Sequence, residues 1–296
     1  MAGGDGKRLL SLTRKLTGDD RPKQFCALTG IKTLLDHTRQ RLSRVVPEQN
    51  TLLLLTQTHE RFYTDQVRGL PASSLLIQPY NHGTAPAIAY ALTRLNSIAP
   101  NALVGFFPSD HHFESGEAFA ASVNQAFLHA ELDPKHVVLL GIVPESAEDT
   151  YGWIEPGAPL HSVGGAHVFE VRRFWEKPSR NTARRLLSAN CIWNSFIMVG
   201  RVSAFLNALR RSLPDLLFSF ESMWDVLIAG TEQSALREIF SKIPAHDFSH
   251  DVLSVCPSDL AVLPVHGTGW TDLGEPERAQ ATLRLQKMDV TGSGSL

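Results

Sequence analysis

A glycine-rich segment near the start of the chain has the composition of a phosphate-binding loop. It contains Gly3, Gly4 and Gly6, followed by Lys7 and Arg8. Glycine lets the backbone approach phosphate oxygens closely and lets successive N–H groups point at one anion. The spacing is not that of a Walker loop, in which Ser or Thr follows the lysine, and it lacks the third glycine of a dinucleotide-binding fingerprint. Taken alone, the segment is equally consistent with an ordinary turn.

A second candidate for chemistry is Asp110, which ends an apolar run and precedes His111 and His112. A carboxylate at the carboxyl end of a buried strand is suited to Mg²⁺, which prefers carboxylate, phosphate and water oxygens. The adjacent histidines do not predict zinc, because neighbouring side chains diverge and no cysteine or third histidine lies nearby in the sequence. His246 and His250 have helical i, i+4 spacing, but a solvated polar segment explains that pattern more simply.

Alternating strands and helices are predicted to position these residues. Short apolar runs predict buried strands at residues 52–55, 75–77, 103–107 and 137–142. Amphipathic segments between them predict helices at residues 33–42, 85–97 and 117–131. This alternation is typical of an α/β fold with a largely parallel sheet, in which ligands bind beyond the carboxyl ends of the strands.

The pattern changes from about Tyr151 onward. Apolar runs predict strands at residues 168–171, 196–199 and 260–265, and helical spacing predicts helices at residues 182–189 and 202–213. The sequence shows neither an internal repeat nor a long linker, so one continuous domain is expected.

Composition restricts the possible partners. The 296 residues are enough for one large domain, and a net charge of −2 gives no electrostatic reason to expect nucleic acid or a membrane surface as a partner. No stretch approaches the ~20 apolar residues of a membrane span, and no apolar signal region follows Met1. Cys26, Cys191 and Cys256 are scattered, which is typical of reduced thiols. We therefore expect a cytoplasmic protein and leave a homo-oligomer open.

Several motifs, in their order along the chain, resemble those of the sugar-phosphate nucleotidyltransferases, and most closely the mannose-1-phosphate guanylyltransferases. The motifs are Gly3-Gly4-Asp5-Gly6-Lys7-Arg8-Leu9, Phe174-Trp175-Glu176-Lys177-Pro178, Cys191-Ile192-Trp193-Asn194-Ser195 and Gly269-Trp270-Thr271-Asp272-Leu273-Gly274. The resemblance covers roughly residues 2–285. It implies a Rossmann-like α/β fold of the glycosyltransferase-A type. It also implies a reaction in which a sugar 1-phosphate attacks a nucleoside triphosphate and pyrophosphate leaves.

The resemblance assigns the first half of the chain to the nucleotide, with GTP as the implied substrate. Gly3, Gly4 and Gly6 match the family's triphosphate loop, although Lys7 replaces its usual threonine. Arg8 matches an arginine that neutralises the transferring phosphate, and Lys23, in Pro22-Lys23-Gln24-Phe25, matches a lysine that contacts nucleotide phosphates. Both are implied catalytic residues, because cations stabilise the charge that develops during such a transfer.

The implied base-binding segment runs from Gln78 to Pro86. Thr84 matches the family pattern, whereas Gln78, His82 and Gly83 depart from it. Gln78 could accept one hydrogen bond from guanine, more weakly than a charged carboxylate would. Guanine is therefore favoured, and another base stays open.

The implied cofactor is Mg²⁺, held by Asp110 and Asp272. Asp110 lies in a Ser-Asp-His motif whose aspartate binds metal in the family, and Asp272 matches the family's second metal carboxylate. Taken alone, an aspartate in a glycine-flanked turn such as that of Asp272 is usually structural.

The second half of the chain is assigned to a hexose 1-phosphate. By resemblance, Gly152 and Glu155 hold the sugar, Glu176 binds its hydroxyls, Lys177 binds its phosphate, and Asn194 donates or accepts a further hydrogen bond. Trp175 and Trp193 are expected to be core residues rather than sugar platforms, as aromatic side chains usually are.

The start of the chain departs from the family. There a hydrophobic central strand precedes the glycine loop, whereas here only Met1 and Ala2 do. We therefore expect the first central strand to be missing, unless another segment takes its place, and we expect a chain of low stability or weak activity. The domain is expected to span residues 1–288, with a nucleotide half at 1–145, a sugar-phosphate half at 146–288 and a flexible tail at 289–296.

Two functions remain open at this point. The first is an enzyme that makes GDP-mannose and pyrophosphate, or a related enzyme for another sugar or base. The second is a non-catalytic paralogue that binds a sugar nucleotide, suggested by Lys7 and by the expected loss of a strand.

Overall fold

The computed structural model describes residues 1–28, 30–163, 165–222, 232–276 and 278–279, without the side chains of residues 163 and 232. The chain forms two compact units built from interleaved segments. Unit 1 comprises Met1–Ile77, Pro108–Gly116 and the described residues from Thr268 onward, and unit 2 comprises Gln78–Phe107 and Glu117–Gly267. The tail predicted at 289–296 lies outside the described residues.

Unit 1 contains three helices and a two-stranded sheet in its described part. The helices are α1 (Leu10–Thr17), α2 (Leu34–Leu42) and α3 (Glu60–Tyr63), and the paired strands are β1 (Leu53–Thr56) and β2 (Leu75–Gln78). A hydrophobic cluster that includes Phe25, Leu35, Leu55 and Tyr63 joins α2, β1 and α3. Its burial stabilises the framework on which the loops of this unit are mounted.

Helix α2 begins where the sequence predicts it. Thr33 is its N-cap: the hydroxyl accepts a hydrogen bond from the Asp36 N–H at 3.1 Å, and the Asp36 carboxylate accepts one from the Thr33 N–H at 3.2 Å. This reciprocal pair satisfies two N–H groups that have no partner inside the helix. The predicted start of this helix is confirmed.

Unit 2 is organised around a six-stranded sheet in the order β3-β7-β4-β8-β6-β5. Its strands are β3 (Leu103–Phe106), β4 (Val137–Ile142), β5 (Trp153–Val163), β6 (Ala166–Trp175), β7 (Ile192–Arg201) and β8 (Leu260–Val265). The predicted strands are therefore confirmed, with β6 and β7 longer than expected. Strand β5 was not predicted, because Trp153 to Val163 alternates poorly and contains two prolines.

The α/β class is confirmed, but the sheet of unit 2 is mixed rather than mostly parallel. Among the pairings in the described part of the chain, β4–β8 is parallel, whereas β3–β7, β4–β7, β5–β6, β5–β7 and β6–β8 are antiparallel. The β5–β6 hairpin reverses the chain after β4, so β7 returns beside β4 in the opposite direction. Apolar runs such as Val137–Ile142 mark a strand as buried on both faces and do not report its direction.

Further helices follow in the chain. They are α4 (Thr84–Ile98), α5 (Gly116–Leu132), α6 (Arg180–Ser188), α7 (Val202–Ser212), α8 (Pro214–Glu221) and α9 (Glu232–Lys242). Of these helices, α6 contacts β5 and α7 contacts β7. In the parts of the chain that the structure describes, no helix is both long enough and apolar enough to cross a bilayer.

Candidate functional site

The glycine loop of unit 1 is fixed by side chains that hold its carbonyl groups. Gln24 Nε2 donates to the carbonyl oxygens of Ala2 at 3.0 Å and Gly4 at 2.7 Å, and Thr56 Oγ1 donates to that of Gly3 at 2.9 Å. The Ala2 N–H donates to the Leu54 carbonyl at 2.8 Å. These hydrogen bonds anchor the loop to the end of β1. A loop that binds phosphate through its N–H groups would need such a rigid support. A missing first strand stays a prediction.

One glycine of the loop is required by its conformation. Gly6 has a φ of 62°, and a Cβ placed there would lie 3.2 Å from the backbone nitrogen of Lys23. The backbone then passes through a turn, Lys7–Leu9, into α1. A side chain at residue 6 would strain the turn and press on the Lys23 segment.

Arg8, one of the two implied catalytic cations, lies at the surface. Its Nη1 donates to Glu275 Oε1 at 3.2 Å, and both side chains are substantially exposed. Such a pair is weak because solvent screens it, so Arg8 can leave Glu275 for an anionic ligand at little cost. Its catalytic role stays a prediction.

Lys23 is buried and contacts both the Asp110 carboxylate and the backbone of the turn that carries Asp272. Its side-chain nitrogen lies 3.3 Å from Asp110 Oδ2 and donates to the backbone carbonyl of Asp272 at 2.5 Å. Lys23 is only 7% exposed. Its implied contact with nucleotide phosphates stays a prediction, and the contacts present in the structure are with Asp110 and the Asp272 turn. One ammonium thus brings together residues that are about 160 positions apart in sequence.

The turns that carry the two aspartates are also joined by backbone hydrogen bonds. The His112 N–H donates to the Thr271 carbonyl at 2.9 Å, and the Thr271 N–H donates to the His112 carbonyl at 3.1 Å. This isolated antiparallel bridge joins the segment that follows Asp110 to the residue that precedes Asp272. The motifs did not reveal it, because the bridge uses only backbone atoms.

The Asp110 carboxyl group is ionised. Burial opposes ionisation, but the Lys23 ammonium favours it through its charge and a hydrogen bond, and the pKa of Asp110 lies below its usual range. The burial of His111 lowers the pKa of its imidazole to about 4, so that ring is neutral at pH 7.

Trp270 sets the tautomer of His111. Trp270 Nε1 donates to His111 Nδ1 at 3.2 Å, and an indole N–H can only donate. The neutral imidazole therefore carries its proton on Nε2, the atom that lies 3.8 Å from Asp110 Oδ1. His111 and Trp270 are thus a hydrogen-bonded pair beside Asp110, which sequence reasoning missed.

Asp272 is held by its own turn. Its Oδ1 accepts a hydrogen bond from the Gly274 N–H at 2.8 Å and lies 3.6 Å from Arg278 Nη2. Gly274 is required here, because a Cβ on it would lie 2.3 Å from Asp272 Oδ2. Arg278 was not predicted as a site residue, and no motif marked it.

The residues present fit Mg²⁺ only as part of a larger donor set. Asp110 and Asp272 supply hard carboxylate oxygens, the donors that Mg²⁺ prefers. In the residues that the structure describes, no group of three or more His, Cys, Asp or Glu side chains could hold a metal ion. A Mg²⁺ ion at this place would therefore take its remaining oxygen ligands from phosphate and water.

Unit 2 brings together three of the residues assigned to the sugar phosphate. A Cβ on Gly152 would lie 3.1 Å from Glu176 Oε2 and 3.2 Å from Asn194 Cβ. The Asn194 N–H donates to the Gly152 carbonyl at 2.8 Å. Glycine at residue 152 therefore leaves room that any other residue would fill.

A local irregularity of β7 orients Asn194. The pairing of β7 with β4 shifts register between Leu139 and Gly141, and Phe196 has a φ of 59°. Asn194 Oδ1 accepts a hydrogen bond from the Phe196 N–H at 3.0 Å. This hydrogen bond fixes the orientation of the side-chain amide through its oxygen, and the amide nitrogen remains a donor for a different partner.

Glu176 and Lys177 form an ion pair at the end of β6. The Glu176 side chain is 13% exposed and that of Lys177 is 55% exposed. Burial raises the pKa of Glu176 above its ordinary value despite the Lys177 ammonium, and the Asp247 carboxylate adds to the rise. Lys177 has a φ of 43°, a strained conformation for a residue other than glycine, as often occurs in binding sites.

Glu155 lies on β5, where Arg172 Nη1 donates to its Oε1 at 3.2 Å. Trp193 is core, as expected, packed edge-on against Tyr151 and Trp153. Trp175 is half-buried beneath the Arg173 guanidinium, 3.7 Å from the ring centroid. Trp193 is therefore unavailable as a sugar platform, and one face of the Trp175 ring is covered by Arg173.

The implied base-binding segment is fixed to the polar segment 246–251. Thr84 Oγ1 accepts a hydrogen bond from the Phe248 N–H at 2.7 Å at the start of α4. Gly83 has a φ of 91°, and a Cβ there would lie 2.3 Å from the His246 carbonyl oxygen. The departure from the family at Gly83 is therefore required by this packing. Gln78 is buried at the end of β2.

Segment 246–251 is only partly a solvated surface. His250 is exposed and its Nδ1 lies 2.7 Å from Asp251 Oδ1, a hydrogen bond that raises the pKa of the imidazole. Asp247 and His250 nevertheless act electrostatically on Glu176. Sequence reasoning did not connect this segment with Glu176.

Comparison with known proteins places the chain in a family. The family model described as nucleotidyl transferase matches residues 1–283. Mannose-1-phosphate guanylyltransferase 2 of Escherichia coli O157:H7 is 33% identical over 291 residues, covering 93% of this chain and 57% of that protein. Mannose-1-phosphate guanylyltransferase ManC of Salmonella typhimurium is 32% identical over 281 residues, covering 93% of this chain and 56% of ManC. The chain thus spans about half the length of the curated relatives it matches.

Comparison with solved structures supports the same family. A crystal structure described as mannose-1-phosphate geranyltransferase from Thermus thermophilus superimposes with a TM-score of 0.76 at 28% identity, covering 93% of this chain and 75% of that one. The expected nucleotidyltransferase fold is confirmed. The chain belongs to the nucleotidyl transferase family.

Proposed function

We propose that this protein transfers a nucleotidyl group from GTP to mannose 1-phosphate, producing GDP-mannose and pyrophosphate. The observation that carries the proposal is the buried Lys23 ammonium, which holds Asp110 and the Asp272 turn in one place. Family membership supports nucleotidyl transfer, and the names of the similar guanylyltransferases support the choice of substrates.

In the proposed reaction an oxygen of the sugar phosphate attacks the α-phosphorus of GTP. The bond from that phosphorus to the bridging oxygen breaks, and pyrophosphate leaves with the electron pair. No general base is needed, because a phosphate monoester with a second pKa near ~6 is mostly dianionic at pH 7. The protein contributes positioning and positive charge, which dominate catalysis of such transfers.

Asp110 and Asp272 would hold Mg²⁺ in this site together with the nucleotide phosphates. The metal would offset the negative charge that accumulates on the phosphate oxygens during the transfer. His111 keeps its Nε2–H towards Asp110, and the Gly274 N–H fixes Asp272. The Gly3–Gly6 loop and Arg8 would bind the triphosphate.

The Gly152–Glu176–Asn194 cluster would bind the sugar. A carboxyl group with a raised pKa and an oriented amide both form hydrogen bonds with hydroxyls, and Lys177, exposed beside them, would take the sugar phosphate. Buried polar groups of this kind reject a substrate that lacks the matching hydroxyl, because they would be left without a partner. Sugar specificity is therefore assigned to this cluster, with Glu155 nearby on β5.

A pyrophosphate-release assay tests the proposal. Four nucleoside triphosphates are combined with several sugar 1-phosphates, and the wild type is compared with Asp110→Asn and with Asp65→Asn, an exposed aspartate of unit 1 that serves as the matched control. We expect release with GTP and mannose 1-phosphate, loss in Asp110→Asn, and no change in the control. Release with another pair would correct the substrates. Saturable binding of GDP-mannose without release from any pair would instead support a non-catalytic paralogue.

A further inference from the structure

Each of the two implied metal carboxylates already faces a positive side chain of the protein. Lys23 Nζ lies 3.3 Å from Asp110 Oδ2, and Arg278 Nη2 lies 3.6 Å from Asp272 Oδ1. All four side chains are less than a third exposed. Water therefore screens these attractions less than it screens those of surface pairs.

Arg278 is held in place by the fold. The Ala279 N–H donates to the Glu275 carbonyl at 3.0 Å, and Ala279 is buried in a hydrophobic cluster with Leu9, Leu12 and Leu273. The helical turn that carries Arg278 is thus packed against α1, so its guanidinium is presented to Asp272 by the backbone rather than by a long flexible loop.

The charges of these four side chains sum to zero. Two carboxylates attract a divalent ion strongly only when their negative charge is not already compensated, because dehydrating Mg²⁺ is costly. A metal ion that arrives alone meets a compensated cluster. A metal ion that arrives on a triphosphate brings its own anionic ligands, and the phosphates can also attract the guanidinium of Arg278 away from Asp272.

We propose that Arg278 is a positioning residue whose charge weakens divalent-metal binding at Asp110 and Asp272 until a nucleotide is bound. This inference rests on the proposed function, because it takes the two aspartates as metal ligands. It adds a role for a residue that no motif marks.

Manganese is the probe, because its binding can be followed by electron paramagnetic resonance as well as by calorimetry. Mn²⁺ is titrated into the whole chain without nucleotide, for the wild type, Arg278→Gln and Arg278→Lys. Arg14→Gln, which removes an exposed arginine of unit 1 paired with Asp20, is the matched control. Thermal melts of every variant confirm that each one is folded.

We expect weak Mn²⁺ binding by the wild type, and binding roughly tenfold or more tighter in Arg278→Gln, because a neighbouring cation is gone. Arg278→Lys keeps the charge and should resemble the wild type, as should Arg14→Gln. In an Asp272→Asn background the Arg278→Gln change should have little effect, because the charge it compensates is absent. Equal Mn²⁺ affinity in wild type and Arg278→Gln would overturn the inference.

A second titration separates this inference from the proposed function. GTP is titrated with and without Mn²⁺, and the wild type should show a larger gain in GTP affinity from the metal than Arg278→Gln does, since the two ligands are thermodynamically coupled. A wild type that binds Mn²⁺ as tightly without GTP as with it would overturn the role of Arg278 while leaving the metal site intact. GTP affinity that ignores Mn²⁺ in wild type and in Asp272→Asn alike would overturn the metal role itself.

Discussion

Two acidic site candidates, one in each unit, have pKa values shifted in opposite directions. In unit 1, Asp110 lies beside the buried Lys23, and its pKa is below the usual range. In unit 2, Glu176 is paired with the more exposed Lys177, and burial raises its pKa. A lowered pKa is suited to a carboxylate that binds a metal ion in its charged form. A raised pKa is suited to a carboxyl group that forms hydrogen bonds with uncharged hydroxyl groups.

The two units also position their residues differently. Unit 1 fixes loops by bonding side chains such as Gln24 and Thr56 to loop carbonyl groups. Unit 2 uses strands whose regularity is interrupted at the site, with positive φ at Lys177 and Phe196. Loss of one anchoring side chain should therefore loosen the site of unit 1. In unit 2 the backbone conformation positions the site residues, so substitution of a single polar side chain should have a more local effect.

The largest effect is expected from the aspartates of unit 1. Asp110→Asn and Asp272→Asn remove a charge while keeping the size of the side chain, so kcat should fall by at least about tenfold, or about 1.4 kcal/mol. Steady-state pyrophosphate release at several Mg²⁺ concentrations measures it. Unchanged kcat and unchanged Mg²⁺ dependence in both variants would show that unit 1 does not hold the metal.

The two lysines should differ in what their loss affects. Lys23→Met leaves Asp110 without its buried cation and the Asp272 carbonyl without a donor, so we expect about 2 kcal/mol of lost stability together with weaker GTP binding. Lys177→Ala removes an exposed cation, so stability should be kept while the KM for the sugar 1-phosphate rises by about tenfold.

Calorimetry of GTP and urea unfolding of both lysine variants test that contrast. An equal loss of GTP affinity in the two variants would mean that the division between nucleotide and sugar-phosphate residues is wrong. Equal stability loss would mean that Lys177 is as structural as Lys23.

Much of this organisation follows from the sequence, and the remainder has identifiable physical causes. The strands β4 and β8 were predicted to the residue, because each is a continuous apolar run of six residues, a length typical of a strand and too short for most helices. Strand direction was not predictable, because burial carries no information about it. Motifs located Gly152, Glu176 and Asn194, and the structure brings these three together.

The residues that sequence reasoning missed act through side-chain contacts that the motifs do not indicate. Arg278 bears on Asp272 across a helical turn, and Trp270 sets the tautomer of His111 across 159 positions. Neither is part of a periodic pattern. Gly83 departed from the family pattern, and only the approach of the His246 carbonyl explains why a residue without a Cβ is needed there.

The raised pKa of Glu176 predicts a pH-dependent stability. An ionised carboxyl group buried in the folded state costs free energy, so stability should fall as pH rises from the ordinary carboxyl value of about 4.5 through the raised value. Glu176→Gln removes that cost. Its midpoint of thermal unfolding should exceed that of the wild type at pH 8, and the difference should shrink as pH falls towards 4. A difference independent of pH would mean that Glu176 is not strained by its burial.

The smallest effects are expected from removing the N-cap side chain of one helix in each unit. Thr33 caps α2 of unit 1 with a reciprocal bond to Asp36 and also bonds Gln66 Oε1 at 2.8 Å. Ser179 caps α6 of unit 2, just after Lys177, with one backbone bond, from the Thr182 N–H at 3.3 Å. Thr33→Ala should cost about 1 kcal/mol and Ser179→Ala about 0.5 kcal/mol, measured by urea unfolding at constant m-value. Because Ser179 follows the strained Lys177, Ser179→Ala should also raise the KM for the sugar 1-phosphate slightly, whereas Thr33→Ala should leave it unchanged. A larger stability loss for Ser179→Ala than for Thr33→Ala would show that the backbone of unit 2, rather than that of unit 1, depends on single polar side chains.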